Sequence, residues 1–328
     1  MSARNSFLLK PIGKDYLWGG SRLNDDFNLG LDLTPLAEAW VCSTHPDGKT
    51  NLISGESLLD VLKRNPDFLG EHATLFSDGD YELPIMIKLI DAKRDLSVQV
   101  HPDDSYAKEY EDGSRGKTEM WYVIDAKPDS ALIYGFNKNV SATEVRLAVE
   151  NGSIRKLLNF VSVTKNDVFT INPGTVHAIG EGCLIAEIQE NSNVTYRLYD
   201  YDRTDKNGCK RKLHLGKALD VLDFSFSDVP RQPMRVLKYK KGFASELLSR
   251  CKYFQVERLI INTESLRDTV QYKTASNSFH VLLCIEGCGS ICSKSINYNY
   301  YKGDCIFAPA DCEMMSLHGK SQFLDVCC

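Results

Sequence analysis

Three short segments carry residue types that can meet in one chemical site. In SVQVHPDD, residues 97–104, Gln99 and His101 alternate with Val98 and Val100. Strict alternation reads as a strand, and i and i+2 side chains then share a face. Pro102 and the two Asp residues end that run and are read as terminators, not ligands. In KTEMW, residues 117–121, Lys117, Glu119 and Trp121 share a face in the same way. In NPGTVHAIG, residues 172–180, His177 follows a rigid Pro-Gly turn. If an antiparallel fold brings these segments together, two imidazoles, one carboxylate and an amide oxygen surround a cation. Two His and one Glu suit a catalytic zinc, which keeps a position open for water or substrate. The ligand set by itself leaves iron and manganese open. Taken singly, a His beside Pro-Asp or a Glu beside a Lys is an ordinary solvated surface feature; the coincidence of three segments is what carries weight.

The elements that must position these residues are mostly strands. Apolar or alternating runs occur at 83–91, 96–101, 118–126, 131–136, 167–171, 183–190 and 194–201, punctuated by Gly, Pro, Asn and Asp. Helix signals are fewer. SLLDVLK (57–63) has helical spacing, Ser141 and Glu144 form a capping box, IRKLLNF (154–160) follows Asn-Gly-Ser, and LHLGKALDVLDF (213–224) is a further short helix. Beyond residue 235 strands dominate, as in FQVERLII, FHVLLCI, DCIFAPA and FLDVCC. The stretch DVFTINPGTVH (167–177) is loosely repeated as GDCIFAPADCE (303–313), with Glu313 where His177 would fall. The expectation is a mainly β protein built of two jelly-roll barrels and a few short helices. Residues 1–235 form the barrel that holds the metal, and residues 236–328 a second barrel without ligands.

A net charge of -5 gives no support for nucleic-acid binding, which usually shows a basic domain. No run approaches membrane-spanning length, and MSARNSFLLKPIGKDYLWGG has no long apolar stretch after its basic residues. The expected setting is cytoplasmic, with no membrane or nucleic-acid partner. Eleven cysteines, nine of them beyond residue 200, then read as reduced thiols. Cys284, Cys288 and Cys292 have neither zinc-pair nor ferredoxin spacing and are expected to be buried small residues.

A set of motifs makes the reading sharper: LWGG (17–20), EAW (38–40), STHPDG (43–48), GKTEMWY (116–122), PGTVHAIG (173–180), AEIQE (186–190), TYRLYDYDR (195–203) and LHLGKALD (213–220). In order and spacing, over about residues 5–225, they resemble type I mannose-6-phosphate isomerases of the short bacterial kind, members of the cupin superfamily. The last third resembles that family's C-terminal region more weakly. The resemblance implies one Zn2+ held by His101, Glu119 and His177, with Gln99 as fourth ligand. It places Arg197 on an active-site arginine, Glu187 on an acidic position near the metal, and Lys117 in the substrate pocket. Two departures, Ala39 for a Ser and Asn166 for a Gly, touch no implied ligand.

The implied reaction is interconversion of mannose 6-phosphate and fructose 6-phosphate by proton transfer between C1 and C2. Glu187 is the candidate base and Arg197 the oxyanion partner, while Lys117, Arg203, Lys210 and Arg211 are available to a sugar phosphate. A monomer or homodimer is expected. The rival readings are a non-catalytic sugar-phosphate-binding cupin and an iron-dependent cupin oxygenase.

Overall fold

Apolar alternation decides the layering of the chain, which is a computed structural model describing residues 4–328 except 78, 80, 205–207, 229, 231 and 267. In the strand Cys183–Glu190, Leu184, Ala186 and Ile188 enter one buried cluster while Cys183 and Ile185 enter another. The strand Glu119–Ala126 divides likewise, with Met120, Tyr122 and Ile124 on one side and Trp121 and Val123 on the other. A sheet with both faces covered results. It has six antiparallel strands in the order Val168–Ile171, Glu119–Ala126, Cys183–Glu190, Ile85–Asp91, Glu38–Cys42 and Ile12–Lys14.

One face of this sheet looks toward a five-stranded sheet ordered Tyr196–Tyr199, Val98–Val100, His177–Ile179, Ala131–Phe136 and Leu158–Ser162. Val98, Val100, Ala178 and Leu198 turn away from the site and pack with Val145 and Ala148 of helix Ala142–Glu150 and Ala218 of helix Leu215–Val221. The other face packs on a ten-stranded sheet made largely from residues beyond 235. Their shared core joins Ile85, Ile87 and Leu89 to Phe279, Val281, Phe307 and Leu324. Full burial of such side chains contributes about 1.5–3 kcal/mol each. The ten-stranded sheet also recruits Phe7–Lys10, paired with Cys305–Ala308, and Asn51–Leu52. Strand pairing therefore crosses residue 235.

The chain is mainly β with a few short helices, as its periodicity predicts. The capping box at Ser141 and Glu144 forms. Helix Leu58–Arg64 follows Ser57. The segment read as a helix at 154–160 differs: it makes one 3-10 turn, Ile154–Leu157, and then the strand Leu158–Ser162. Leu158 and Val161 are buried there and Phe160 is half exposed, because an irregularity in the pairing with Ala131–Phe136 interrupts the two-residue alternation that would have marked the strand. Asp103 caps an unforeseen helix, Asp104–Tyr110, by accepting a hydrogen bond from the Tyr106 N–H. Asn166 adopts φ 74°, the left-handed region, so a Gly would sit there without strain. All eleven cysteines are free, but the expected burial holds only for Cys284 among the three spaced ones; Cys288 is exposed.

Candidate metal centre and substrate cavity

The register of the two facing sheets assembles the site. In the six-stranded sheet Glu187 lies opposite Lys88 on one side and Trp121 on the other, and Lys88 lies opposite Trp40. Glu38, Trp40, Lys88, Glu119, Trp121 and Glu187 thus occupy one face, by the two-residue period. In the five-stranded sheet Gln99 lies opposite both His177 and Arg197. Ligating atoms of His101, Glu119 and His177 all fall within 4.8 Å of one another, and this is the one such His/Cys/Asp/Glu group among the described residues.

Each histidine is set in one tautomer. His101 Nδ1 donates to the Val194 carbonyl at 2.9 Å and His177 Nδ1 to the Thr175 carbonyl at 2.8 Å. A carbonyl cannot donate, so both Nδ1 atoms carry the proton and both Nε2 atoms present lone pairs. Those two Nε2 atoms are 3.1 Å apart. Glu119 is fully buried and lies 3.3 Å from His101 Nε2 and 3.8 Å from His177 Nε2. Lys117 Nζ makes an ion pair with Glu119 Oε1 at 2.6 Å and lies 3.4 Å from His101 Nε2.

Burial and the Lys117 charge push His101 down to about 3, and burial lowers His177, so both imidazoles are neutral at pH 7. Burial pushes Glu119 up, but Lys117 and His101 outweigh it and hold the carboxyl well below its usual range. Two opposed lone pairs and a buried carboxylate are what a divalent cation satisfies, and backbone carbonyls holding the far ring nitrogens are the usual support of histidine ligands. The donor set fits a metal.

Beside this centre lies a cavity of about 250 Å³, lined among others by Gln99, Lys117, Glu187, Lys88, Arg197 and Arg211. Glu187 Oε1 accepts from Lys88 Nζ at 3.1 Å and Oε2 from Trp121 Nε1 at 2.9 Å. The Trp121 ring also meets the His177 ring edge to face, centroids 5.4 Å apart. Burial and the nearby Glu119 charge raise the Glu187 carboxyl. Burial pulls Lys88 down, but Glu187, Glu38 and Glu119 reverse this and raise its ammonium above the ordinary value. Arg197 is half-buried, with Nε donating to Ser97 Oγ at 3.2 Å and Nη1 to the Lys212 carbonyl at 3.0 Å.

Of the other basic residues, Arg211 lines the cavity and is anchored through its Nε to Asp200 at 2.7 Å. Arg203 turns to Asp200 and the Asp95 carbonyl, and Lys210 pairs with Asp202 at the surface. Asn207, in the loop that leads to Arg211, lies outside the described residues. Sequence reasoning missed Lys88, Glu38, Tyr16 and Trp18 as cavity residues. The signal was available for Lys88, a single cation inside the apolar run PIMIKLI, where a buried charge demands a partner. Glu313, at the repeat position of His177, instead bonds Ser293 and Ser295.

Comparison with known proteins agrees with this arrangement. The family model for phosphomannose isomerase type I, catalytic domain, matches residues 7–133. The chain is 35% identical over 320 residues to mannose-6-phosphate isomerase ManA of Bacillus subtilis, covering 95% of this chain and 96% of that one. It is 33% identical over 312 residues to the mannose-6-phosphate isomerase of Streptococcus mutans, covering 94% and 93%. The crystal structure of a mannose 6-phosphate isomerase from Bacillus subtilis superposes with a TM-score of 0.85 at 31% identity, over 98% of this chain and 99% of that one. A full-length likeness in both sequence and fold, centred on a His-Glu-His site, has one reading: the chain belongs to the type I phosphomannose isomerase family.

Proposed function

We propose that the protein is a zinc-dependent isomerase that interconverts mannose 6-phosphate and fructose 6-phosphate. The observation that carries this reading is the juxtaposition of the His101, Glu119 and His177 centre with a cavity holding one carboxylate of raised pKa and two arginines. His101, Glu119 and His177 would hold the ion, with Gln99 of the adjoining cavity as its fourth ligand. When bound, zinc supplies Lewis-acid polarisation of the sugar oxygens at C1 and C2.

The remaining work falls to side chains. Glu187 takes the proton from C2 of the open-chain aldose and returns it to C1. The electron pair left at C2 moves through the enediolate while the proton of the C2 hydroxyl passes to the C1 oxygen, so the C1 carbonyl becomes a hydroxyl and the C2 hydroxyl a carbonyl. The raised pKa makes Glu187 a stronger base than a solvated carboxylate, and its bonds to Lys88 and Trp121 fix its oxygens. Arg197 stabilises the developing oxyanion with its fork of donors. Lys117 adds positive charge beside the centre and restrains Glu119. Arg211, held by Asp200, takes the phosphate dianion.

The test is metal analysis of the purified protein followed by a mannose 6-phosphate to fructose 6-phosphate assay before and after chelation. Zinc near one per chain, with turnover lost on chelation and regained on adding zinc, is the expected result. Bound iron with oxygen uptake, or tight sugar-phosphate binding without turnover, would overturn the reading.

A further inference from the structure

The backbone that presents Lys117 and Glu119 is gripped on three successive amides by residues outside its own strand. The Gly116 N–H donates to Asp104 Oδ1 at 3.1 Å, the Lys117 N–H to the Pro102 carbonyl at 3.0 Å, and the Thr118 N–H to Glu190 Oε1 at 2.8 Å. The approach is close enough that a Cβ on Gly116 would lie 2.4 Å from the Asp104 nitrogen. The grip is fastened from the far half of the chain. Tyr253 sits in the turn between strands Phe243–Arg250 and Gln255–Asn262, and its hydroxyl donates to Asp104 Oδ2 at 2.6 Å. Its ring packs edge-on against Phe76.

We infer that Tyr253, Asp104 and Glu190 form a latch through which the metal-free half of the molecule sets the position of Lys117 and Glu119. None of the three touches the centre; they are positioning residues, and the inference rests on the metal-site reading above. The two carboxyls also influence one another's titration. Burial pushes Asp104 up, but Tyr253, Gly116 and Glu190 outweigh it and hold it below the usual value, while burial and Asp104 push Glu190 up to about 7. Lys252, 3.6 Å from Asp104 Oδ2, and Cys251 are the other titratable groups facing the pair from the hairpin.

A latch predicts a local effect that a general packing role would not produce. Tyr253→Phe keeps the ring and removes only the hydroxyl. In the zinc-loaded protein, amide hydrogen exchange over 116–119 should rise about tenfold while exchange in the strand Ile85–Asp91 stays as in the wild type. Zinc affinity by chelator competition should fall about tenfold, the usual scale for outer-shell partners of a metal ligand, and kcat should fall with KM little changed. Glu190→Gln, which preserves a donor and an acceptor, should keep wild-type exchange and affinity, whereas Glu190→Leu should behave like Tyr253→Phe. Wild-type exchange over 116–119 together with wild-type zinc affinity in Tyr253→Phe overturns the inference, as does uniform loosening of both segments. Exchange and affinity report on the latch even if the wild-type protein proves not to isomerise the sugar phosphate.

Discussion

Replacing Glu187 by Gln removes one charge and almost no volume, so it separates the two jobs given to that residue. The carboxylate pairs with Lys88 at 3.1 Å, with the two side chains 6% and 4% exposed, and accepts from Trp121 at 2.9 Å. Breaking a buried ion pair from one side costs about 3–5 kcal/mol. Glu38 and Glu119 still attract the Lys88 ammonium, which places the loss near the lower end, about 3 kcal/mol. At about 2 °C per kcal/mol for a chain of this size, the melting temperature should drop by about 6 °C. The rate effect is separate and larger. Removing a positioned base typically costs about 10²–10⁴-fold, and a 3 kcal/mol loss by itself leaves a stable protein folded at assay temperature. Adding Lys88→Met to Glu187→Gln removes the stranded ammonium and should restore most of the melting temperature without restoring turnover. The assay is steady-state conversion of mannose 6-phosphate at saturating zinc, alongside metal content and a melting curve for each variant. A metal-loaded Glu187→Gln protein within about threefold of wild-type kcat would refute Glu187 as the base. Recovery of rate in the double variant would show that the defect was one of stability.

Arg197→Ala should retain its metal, as measured by elemental analysis, and lose about 10²–10³-fold in kcat, the scale for one oxyanion donor. Arg211→Ala should instead raise KM for mannose 6-phosphate by about 10–100-fold, the worth of a charge-assisted hydrogen bond of roughly 1.5–3 kcal/mol, with a smaller change in kcat. Stability should also depend on pH through Glu190, whose folded pKa is raised from 4.5 to about 7. A raised carboxyl pKa stabilises fully below pH 4.5, and that contribution, about 3 kcal/mol, is lost as pH rises through 7. Asp104 is shifted the opposite way and acts only below 3.8, outside this window. Because His101, His177 and Glu187 also titrate across this range in both proteins, the readout is a difference: in denaturant titrations the stability of the wild type relative to Glu190→Gln should fall by about 3 kcal/mol between pH 4.5 and 8.

How far the sequence reaches into the site depends on whether a residue's reason for being there is local. Gln99 and His101 announce a shared face because Val98 and Val100 alternate with them, and His177 stands out behind Pro173-Gly174. Lys88 and Glu187 are 99 positions apart and meet only through antiparallel register, which no local pattern reports. The same limit hid the latch. Tyr253 reads as an ordinary turn aromatic, and its partner Asp104 lies 149 residues away. At the level of fold, strands with clean two-residue alternation, such as Glu119–Ala126, fall where periodicity puts them. The run at 154–160 did not, because Ile, Leu, Leu and Phe at that spacing satisfy a helical face and a short strand equally. Recruitment of Phe7–Lys10 into the sheet of the far half is likewise a long-range event, driven by the stacking of Phe7 on Phe307 within a common core.

The most direct test of the central claim is anomalous scattering at the zinc edge from crystals of the protein purified without added metal. The account predicts a single peak per chain, about 2.0–2.2 Å from His101 Nε2, His177 Nε2 and a Glu119 carboxylate oxygen. An active protein whose crystals show no ion between those three residues, or an ion held elsewhere, would contradict it.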